Sequence, residues 1–283
     1  MTFVHTRALV SSAAASGSAV FAFNVITLEH AEAIVAGAER AGTPAILQVS
    51  ENAVKFHGER LSPLLAACNQ LAIEARTPIA VHLDHFTNDA LIRRAIALAR
   101  DVGVTSIMVD AATLSYAENE STTAELTALA HEAGLWVEAE LGEIGGKDGA
   151  HAPGVRTDPD NAAAFASHTR VDGLAVAVGS SHAMTSRDAV IDLDLVASLA
   201  AAVPVPLVLH GSSGVSDDML SAAIAAGIRK VNVGTALNLA FTSEVRRFLD
   251  GDSAASDPRK YLGGARDAIA DRVANLCSLA HSE

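Results

Sequence analysis

Short apolar runs alternate with stretches of helical spacing along most of the chain. Several runs are apolar on both faces, as at 174–178, which is what a parallel sheet covered on both sides by helices requires. We predict one strand for each of eight runs: Val20–Val25, Ala45–Val49, Ile79–Leu83, Ser106–Val109, Trp136–Leu141, Leu174–Val178, Pro206–Leu209 and Lys230–Val233.

Between these runs, Ala, Leu and Glu recur with the spacing of amphipathic helices. The predicted helices include Leu28–Arg40, Asn88–Ala99, Glu125–Glu132, Leu193–Ala202 and Asp217–Ala225, and several end at a glycine suited to a C-cap. Eight strand–helix units in about 250 residues predict an α/β fold, a (β/α)8 TIM barrel. The tail from Pro258 to Glu283 predicts extra C-terminal helix, and without any linker we expect residues 1–283 to form a single domain.

The N-terminal segment loosely resembles a signal peptide, because Arg7 precedes a run rich in Ala and Ser. Serines dilute its apolar part, however, and a strong strand begins at Val20. We therefore predict a short first helix. The two cysteines, Cys68 and Cys277, lie in apolar surroundings and form neither a disulfide framework nor a metal spacing. They indicate buried thiols in a reducing, cytoplasmic compartment.

A polar residue stands at or just beyond the end of every predicted strand. These residues are Asn24, Ser50, His85 with Asp84, Asp110, Glu140, His182, His210 and Asn232. In (β/α)8 barrels the carboxyl ends of the strands meet at one mouth, where the chemistry takes place. We therefore expect these side chains to converge.

Three of the converging residues are histidines: His85, His182 and His210. Three imidazoles at one mouth match a catalytic metal site with an open position, for which Zn2+ is the default and Co, Fe or Mn are alternatives. Asp110 and Glu140 could bind a second divalent or monovalent cation or orient the imidazoles; the alternative is a salt bridge to a loop residue.

Asp84 directly precedes His85, so its carboxylate is a candidate general acid/base beside the metal. His82 shares the side-chain parity of Asp84, and we interpret it as a hydrogen-bonded histidine inside the barrel. Glycine-rich turns at 211–214 and 232–235 follow the last two strands, where such barrels commonly bind phosphate. A third glycine-rich segment, 145–159, predicts a mobile lid, with a merely solvated loop as the alternative.

The net charge of −13, from 20 Lys+Arg against 33 Asp+Glu, argues against nucleic acid and an anionic membrane as partners. The longest apolar stretch, 195–209, is too short and too interrupted to span a bilayer. The negative balance does not exclude a small anionic substrate, because backbone N–H groups of a Gly-Ser turn can hold a phosphate beside a dication.

Several motifs, in order, resemble the class II, zinc-dependent fructose-bisphosphate and tagatose-bisphosphate aldolases. The match covers nearly the whole chain. It is carried by the segments 23–25, 48–51, 81–85, 137–142 with Gly145-Gly146, 171–182, 209–214, 230–235 and 257–260.

The resemblance implies roles that agree with the residues singled out above. His85, His182 and His210 match the zinc ligands, Asp84 matches the acid/base, and Asp110 and Glu140 match a second metal position. The implied substrate contacts are Asn24, Ser50, Ala183, Gly211, Ser212, Ser213, Asn232, Val233, Gly234, Thr235 and Arg259. The implied substrate is a sugar phosphate, and the implied assembly is a homodimer or homotetramer.

The chain departs from the family pattern mainly where phosphate would bind. Ala183 replaces a glycine, and Ser186 replaces a lysine, with Arg187 next to it as a candidate substitute. Other departures are Asp110-Ala111-Ala112-Thr113, Asp148 and Ala236. The metal and acid/base set is intact, so aldol cleavage of a ketose (bis)phosphate is the expected reaction. The alternatives are the same chemistry on a ketose lacking one or both phosphates, and a non-catalytic barrel that binds sugar phosphate.

Overall fold

The structure, a computed structural model, describes residues 2–142, 156–180 and 187–280. Eight parallel strands close into a barrel in chain order, each hydrogen-bonded to the next and the last to the first. The strands are β1 Val20–Asn24, β2 Ala45–Ser50, β3 Ile79–Phe86, β4 Ser106–Val109, β5 Trp136–Glu140, β6 Gly173–Ala175, β7 Leu207–Leu209 and β8 Ile228–Val233. The predicted (β/α)8 TIM barrel is confirmed.

Helices surround the strands and extend beyond the eight units. They are α1 Thr6–Ser16, α2 Leu28–Ala41, α3 Glu51–Phe56, α4 Ser62–Glu74, α5 Asp89–Val102, α6 Tyr116–Glu132, α7 Pro159–Thr169, α8 Leu193–Ala202, α9 Asp217–Ala226, α10 Thr235–Gly251 and α11 Pro258–Cys277. The first helix and the C-terminal helix are both confirmed, and α11 packs on α2 and α10. In the part of the chain that the structure describes, no helix combines the length and apolarity needed to cross a bilayer.

Local sequence explains where these helices begin. Ser115 opens α6 through a capping box with Glu118, so the helix starts well before the predicted Glu125. Asp192 and Ser216 cap α8 and α9 by accepting a backbone N–H three residues on. These caps satisfy N–H groups that have no partner within the helix.

Two apolar layers hold the barrel together. The larger layer lies between the strands and the surrounding helices, and a smaller one fills the barrel interior with side chains such as Ile46, Met108 and Val208. Leu9 and Val10 of α1 join the interior layer, while the Thr6 hydroxyl lies 2.7 Å from that of Ser106. Helix α1 thus packs against the barrel interior, whereas the polar strand ends form the site described next.

Candidate active site

A bulge in β3 places two consecutive functional residues in the same cleft. The pairing between β3 and β4 shifts register between Leu83 and Phe86, and His85 adopts a left-handed backbone with φ of 50°. Neighbouring strand residues normally face opposite sides of a sheet, but a bulge re-aims one of them. Asp84 and His85 therefore both line the cleft, although β3 does not end at Leu83 as predicted.

His85 and His210 point their ring nitrogens at the same space. Nε2 of His85 lies 2.8 Å from Nδ1 of His210, and Nδ1 of His85 lies 2.8 Å from a carboxylate oxygen of Asp110. Glu140 belongs to the same group: ligand atoms of His85, Asp110 and Glu140 lie within 4.8 Å of one another. The structure thus brings both predicted carboxylates to the imidazole of His85.

The electrostatics around His85 favour positive charge. Burial by itself would lower the pKa of this imidazole, but the carboxylates of Asp84, Asp110 and Glu140 outweigh burial and raise the pKa to about 10. The three carboxylates that surround this imidazole are also suited to balance the charge of a bound cation.

The Asp84 carboxylate is held by two amide groups from the neighbouring strands β1 and β8. It accepts a hydrogen bond of 2.8 Å from Nδ2 of Asn24 and lies 3.4 Å from Nδ2 of Asn232. Gln48 in turn donates to the side-chain Oδ1 of Asn24 at 2.9 Å, which fixes the orientation of the Asn24 amide. Asp84 is 4% exposed and lines the cleft, so its carboxylate has defined neighbours and can be reached from the cleft.

Two buried charged residues below the cleft were missed by the sequence analysis. Glu138 accepts from Nε2 of His210 at 2.8 Å, and Lys230 donates to Glu138 at 2.8 Å and to Asn232 at 2.6 Å. Both lie two residues before a predicted strand-end residue and so share its inward parity. The same alternation that places His82 inside the barrel therefore indicates an inward position for Glu138 and Lys230.

Glycine and serine residues form the opposite rim of the cleft. Gly211 has a φ of 65°, a left-handed conformation that allows the chain to turn sharply after β7. Ser212 donates to the carbonyl of Asn232, and Ser213 accepts from the backbone N–H of Ala236. Gly234 precedes α10, Thr235 is its first residue, and both line the cleft. The positive end of a helix is suited to an anion, so this part of the rim is a candidate phosphate site.

The cleft has a volume of about 430 Å³. The predicted residues that line it are Asn24, Ser50, Asp84, His85, His210, Gly211, Ser212, Ser213, Asn232, Gly234 and Thr235. Gln48, Asn52, Phe56 and Asn238 also line it and were not predicted.

Several predicted residues do not line the described cleft. Val233 packs in the apolar layer under the helices because it alternates with the inward-facing Asn232. Arg259 is exposed in the first turn of α11, where it pairs with Asp257. Arg187, the candidate for the missing lysine, donates to the Val215 carbonyl and pairs with Asp217 instead.

Other predictions concern residues outside the described ranges. These are His182, Ala183 and most of the glycine-rich segment 145–159. The interpretation of His82 is confirmed, since its buried ring lies 2.8 Å from the Ser106 hydroxyl.

The donor set fits a zinc ion. The imidazoles of His85 and His210 and the carboxylate of Asp84 offer ligand atoms within 4.8 Å of one another. Tetrahedral zinc with nitrogen ligands at 2.0–2.1 Å would hold the two nitrogens about 3.3 Å apart. The observed 2.8 Å requires the rings to separate by only a few tenths of an ångström.

Comparisons with known proteins agree with this geometry. The model of the family described as "Fructose-bisphosphate aldolase class-II" matches residues 4–283. A fructose-bisphosphate aldolase of Thermus caldophilus is 36% identical over 298 residues, covering 96% of this chain and 95% of that relative.

Solved structures give the same result. The YdjI aldolase of Escherichia coli K12 superposes with a TM-score of 0.85 at 30% identity, covering 99% of this chain and 98% of the other. A putative fructose-1,6-biphosphate aldolase of Coccidioides immitis gives 0.80 at 27% identity, covering 97% and 94%. With the family model spanning nearly the whole chain, the protein belongs to the class II fructose-bisphosphate aldolase family and is a carbon–carbon lyase.

Proposed function

We propose that the protein is a metal-dependent aldolase that reversibly cleaves a ketose (bis)phosphate, such as fructose- or tagatose-1,6-bisphosphate, to dihydroxyacetone phosphate and an aldehyde. The observation that carries this proposal is the convergence of Asp84, His85 and His210 in one cleft. A binding module has no use for a buried carboxylate fixed by two amides beside a pair of imidazoles.

His85 and His210, with His182 by resemblance, would hold the zinc ion, and Asp110 and Glu140 would hold a second cation. Bound zinc supplies Lewis-acid polarisation of the ketone oxygen, so that no lysine Schiff base is needed. The carboxylates around His85 would balance the added positive charge.

Asp84 would move the proton. In cleavage a carboxylate oxygen of Asp84 accepts the proton of the C4 hydroxyl as the bond between C3 and C4 breaks. In condensation the same oxygen returns the proton to the aldehyde oxygen. Asn24 and Asn232 keep the carboxylate aimed at the cleft, because both donate to it from fixed positions.

The rim formed by Gly211, Ser212, Ser213, Gly234 and Thr235 would hold the phosphate of the three-carbon unit. Backbone N–H groups and the positive end of α10 can provide this binding without a lysine. By resemblance we also propose a homodimer or homotetramer in the cytoplasm, with the oligomeric state to be measured by light scattering.

A second candidate is the same reaction on a ketose lacking one or both phosphates. It is favoured by one observation: none of the described residues that line the cleft is a lysine or an arginine. A doubly phosphorylated substrate would therefore need cationic residues from outside this described lining to bind its second phosphate.

The test compares cleavage of fructose 1,6-bisphosphate, tagatose 1,6-bisphosphate, fructose 1-phosphate and fructose. We expect a phosphorylated ketose to be cleaved fastest, with activity lost after chelation and restored by Zn2+. Equal or faster cleavage of unphosphorylated fructose would overturn the phosphate assignment. Full activity after verified metal removal would overturn the metal dependence.

A further inference from the structure

The buried ion pair between Glu138 and Lys230 lies directly beneath the candidate active site. Both side chains are completely buried, and the nearest charged atoms are 2.8 Å apart. Replacing a buried ion pair by apolar residues is often neutral or even stabilising, so stability alone does not account for this one. Each partner makes a second bond, and each of these bonds leads to a different residue of the site.

The second oxygen of Glu138 accepts from His210. The Oε1 atom lies 2.8 Å from Nε2 of His210, and a carboxylate can only accept. We assign the ring proton to this nitrogen, because the contact is charged and shorter than the 3.0 Å to Nδ2 of Asn232. The lone pair is then on Nδ1, the nitrogen that faces His85 and the metal-binding space.

Asp110 acts on the other histidine in the same way. It accepts from Nδ1 of His85 at 2.8 Å, which leaves Nε2 of His85 to face the same space. Each of the two described imidazoles is thus backed by a carboxylate on the ring nitrogen that points away from this space. Such partners fix the tautomer and the orientation of a ligating histidine.

The second bond of Lys230 leads to Asn232. The ammonium donates to Oδ1 of Asn232 at 2.6 Å, so the amide oxygen faces Lys230 and the amide nitrogen faces Asp84. A rotated amide would bring an NH2 group against the ammonium. Lys230 therefore determines which end of Asn232 meets the acid/base.

We propose that Glu138 and Lys230 are positioning residues with separable effects: Glu138 sets the metal-binding tautomer of His210, and Lys230 sets the orientation of the Asn232 amide toward Asp84. The inference rests on the proposed function, since it assigns these effects to a zinc site and to a proton carrier.

The test measures zinc affinity and turnover separately in Glu138→Gln and Lys230→Met. Zinc dissociation constants are obtained by competition with a chromophoric chelator, and kcat is measured at saturating zinc. We expect Glu138→Gln to weaken zinc binding about 10- to 100-fold. Lys230→Met should leave the zinc dissociation constant unchanged while lowering kcat about 10- to 100-fold, because Asn232 loses its fixed orientation.

Two further variants separate positioning from general loss of a buried polar group. Thr77→Val removes a buried hydroxyl that donates to the Thr43 carbonyl away from the site, and it should change neither readout. Glu138→Leu/Lys230→Met removes both charges, so it gives the zinc measurement even if Glu138→Gln does not fold. This double variant should bind zinc as weakly as Glu138→Gln. Leucine offers His210 no acceptor, and in Glu138→Gln the amide oxygen should face the Lys230 ammonium, which turns the NH2 group toward His210.

Wild-type zinc affinity in the folded Glu138 variants would overturn the inference, as would equal loss of zinc affinity in Lys230→Met. Failure of the proposed function has a different signature. In that case the wild-type protein itself binds no zinc or cleaves no ketose, whatever the variants do.

Discussion

Replacing Asp84 by alanine tests the proton carrier most directly. The change removes the carboxylate but leaves His85, His210 and the glycine-serine rim in place. Asp84 is 4% exposed and is held by Asn24 and Asn232, so no other carboxylate can occupy its position without rearrangement of both amides. The expected defect is therefore in proton transfer, with substrate and metal still bound.

The size of the defect follows from the role. A positioned general acid/base contributes about 10²- to 10⁴-fold to the rate. At 1.36 kcal/mol per factor of ten, that corresponds to about 2.7–5.4 kcal/mol in the activation free energy. Loss of the acceptor also leaves the half-buried Asn24 amide without its 2.8 Å partner, which costs about 1 kcal/mol of stability.

The assay measures cleavage and condensation on zinc-loaded protein, with the zinc content determined on the same samples. Both directions pass through the same proton-transfer step, so cleavage and condensation should both be slowed. Asp101→Ala, which removes an exposed carboxylate on α5, serves as the matched control and should behave like the wild type.

Two results would refute the reasoning. If Asp84→Ala keeps a kcat close to that of the wild type at full zinc content, another group carries the proton. If zinc is lost together with activity, Asp84 acts on the metal rather than on the substrate hydroxyl.

Two further predictions concern the supports of the site. Burial by itself would raise the pKa of Glu51, but hydrogen bonds from Lys55 and Asn88 outweigh burial and lower this pKa below its usual 4.5. The ionised carboxylate therefore stabilises the folded protein above pH 4.5, and this stabilisation is lost as the pH falls through the lowered pKa. Glu51→Gln should therefore lower the free energy of unfolding by about 1.5–3 kcal/mol at pH 7. Urea titrations should show the difference between wild type and variant shrinking as the pH is lowered. A difference that does not change with pH would contradict the role of the Glu51 charge. A Cβ at Gly234 would lie 2.7 Å from Oδ1 of Asn24, so Gly234→Ala should displace the Asn24 amide. We expect kcat/KM to fall about 10- to 100-fold. Unchanged kinetics would show that the position of the Asn24 amide does not matter for the reaction.

The sequence predicted the fold and much of the cleft because both depend on regular spacing. Polar residues at strand ends, such as Asn24, Ser50 and His210, recur once per strand–helix unit, and parallel strands bring these ends together. Gly211 and Gly234 were found for the same reason, since they follow the strand ends immediately.

The remaining features depend on contacts that no local pattern encodes. Glu138 and Lys230 are 92 positions apart and meet only because the barrel closes. The bulge at His85 depends on the register between β3 and β4, which the apolar pattern of β3 does not specify. Helix α6 was shortened in the prediction because Ser, Thr and Asn obscure its apolar face, whereas its true start depends on the capping box at Ser115.

The left-handed backbone at His85 sets a conflict between stability and chemistry at that position. In this conformation a residue other than glycine destabilises the folded state by about 1–2 kcal/mol, and glycine would avoid this penalty. Glycine would, however, delete the imidazole, and an extended backbone would turn it away from Asp84. Stability alone therefore favours glycine here, whereas the proposed metal site requires the imidazole, so a redesign guided by stability alone would remove a proposed metal ligand.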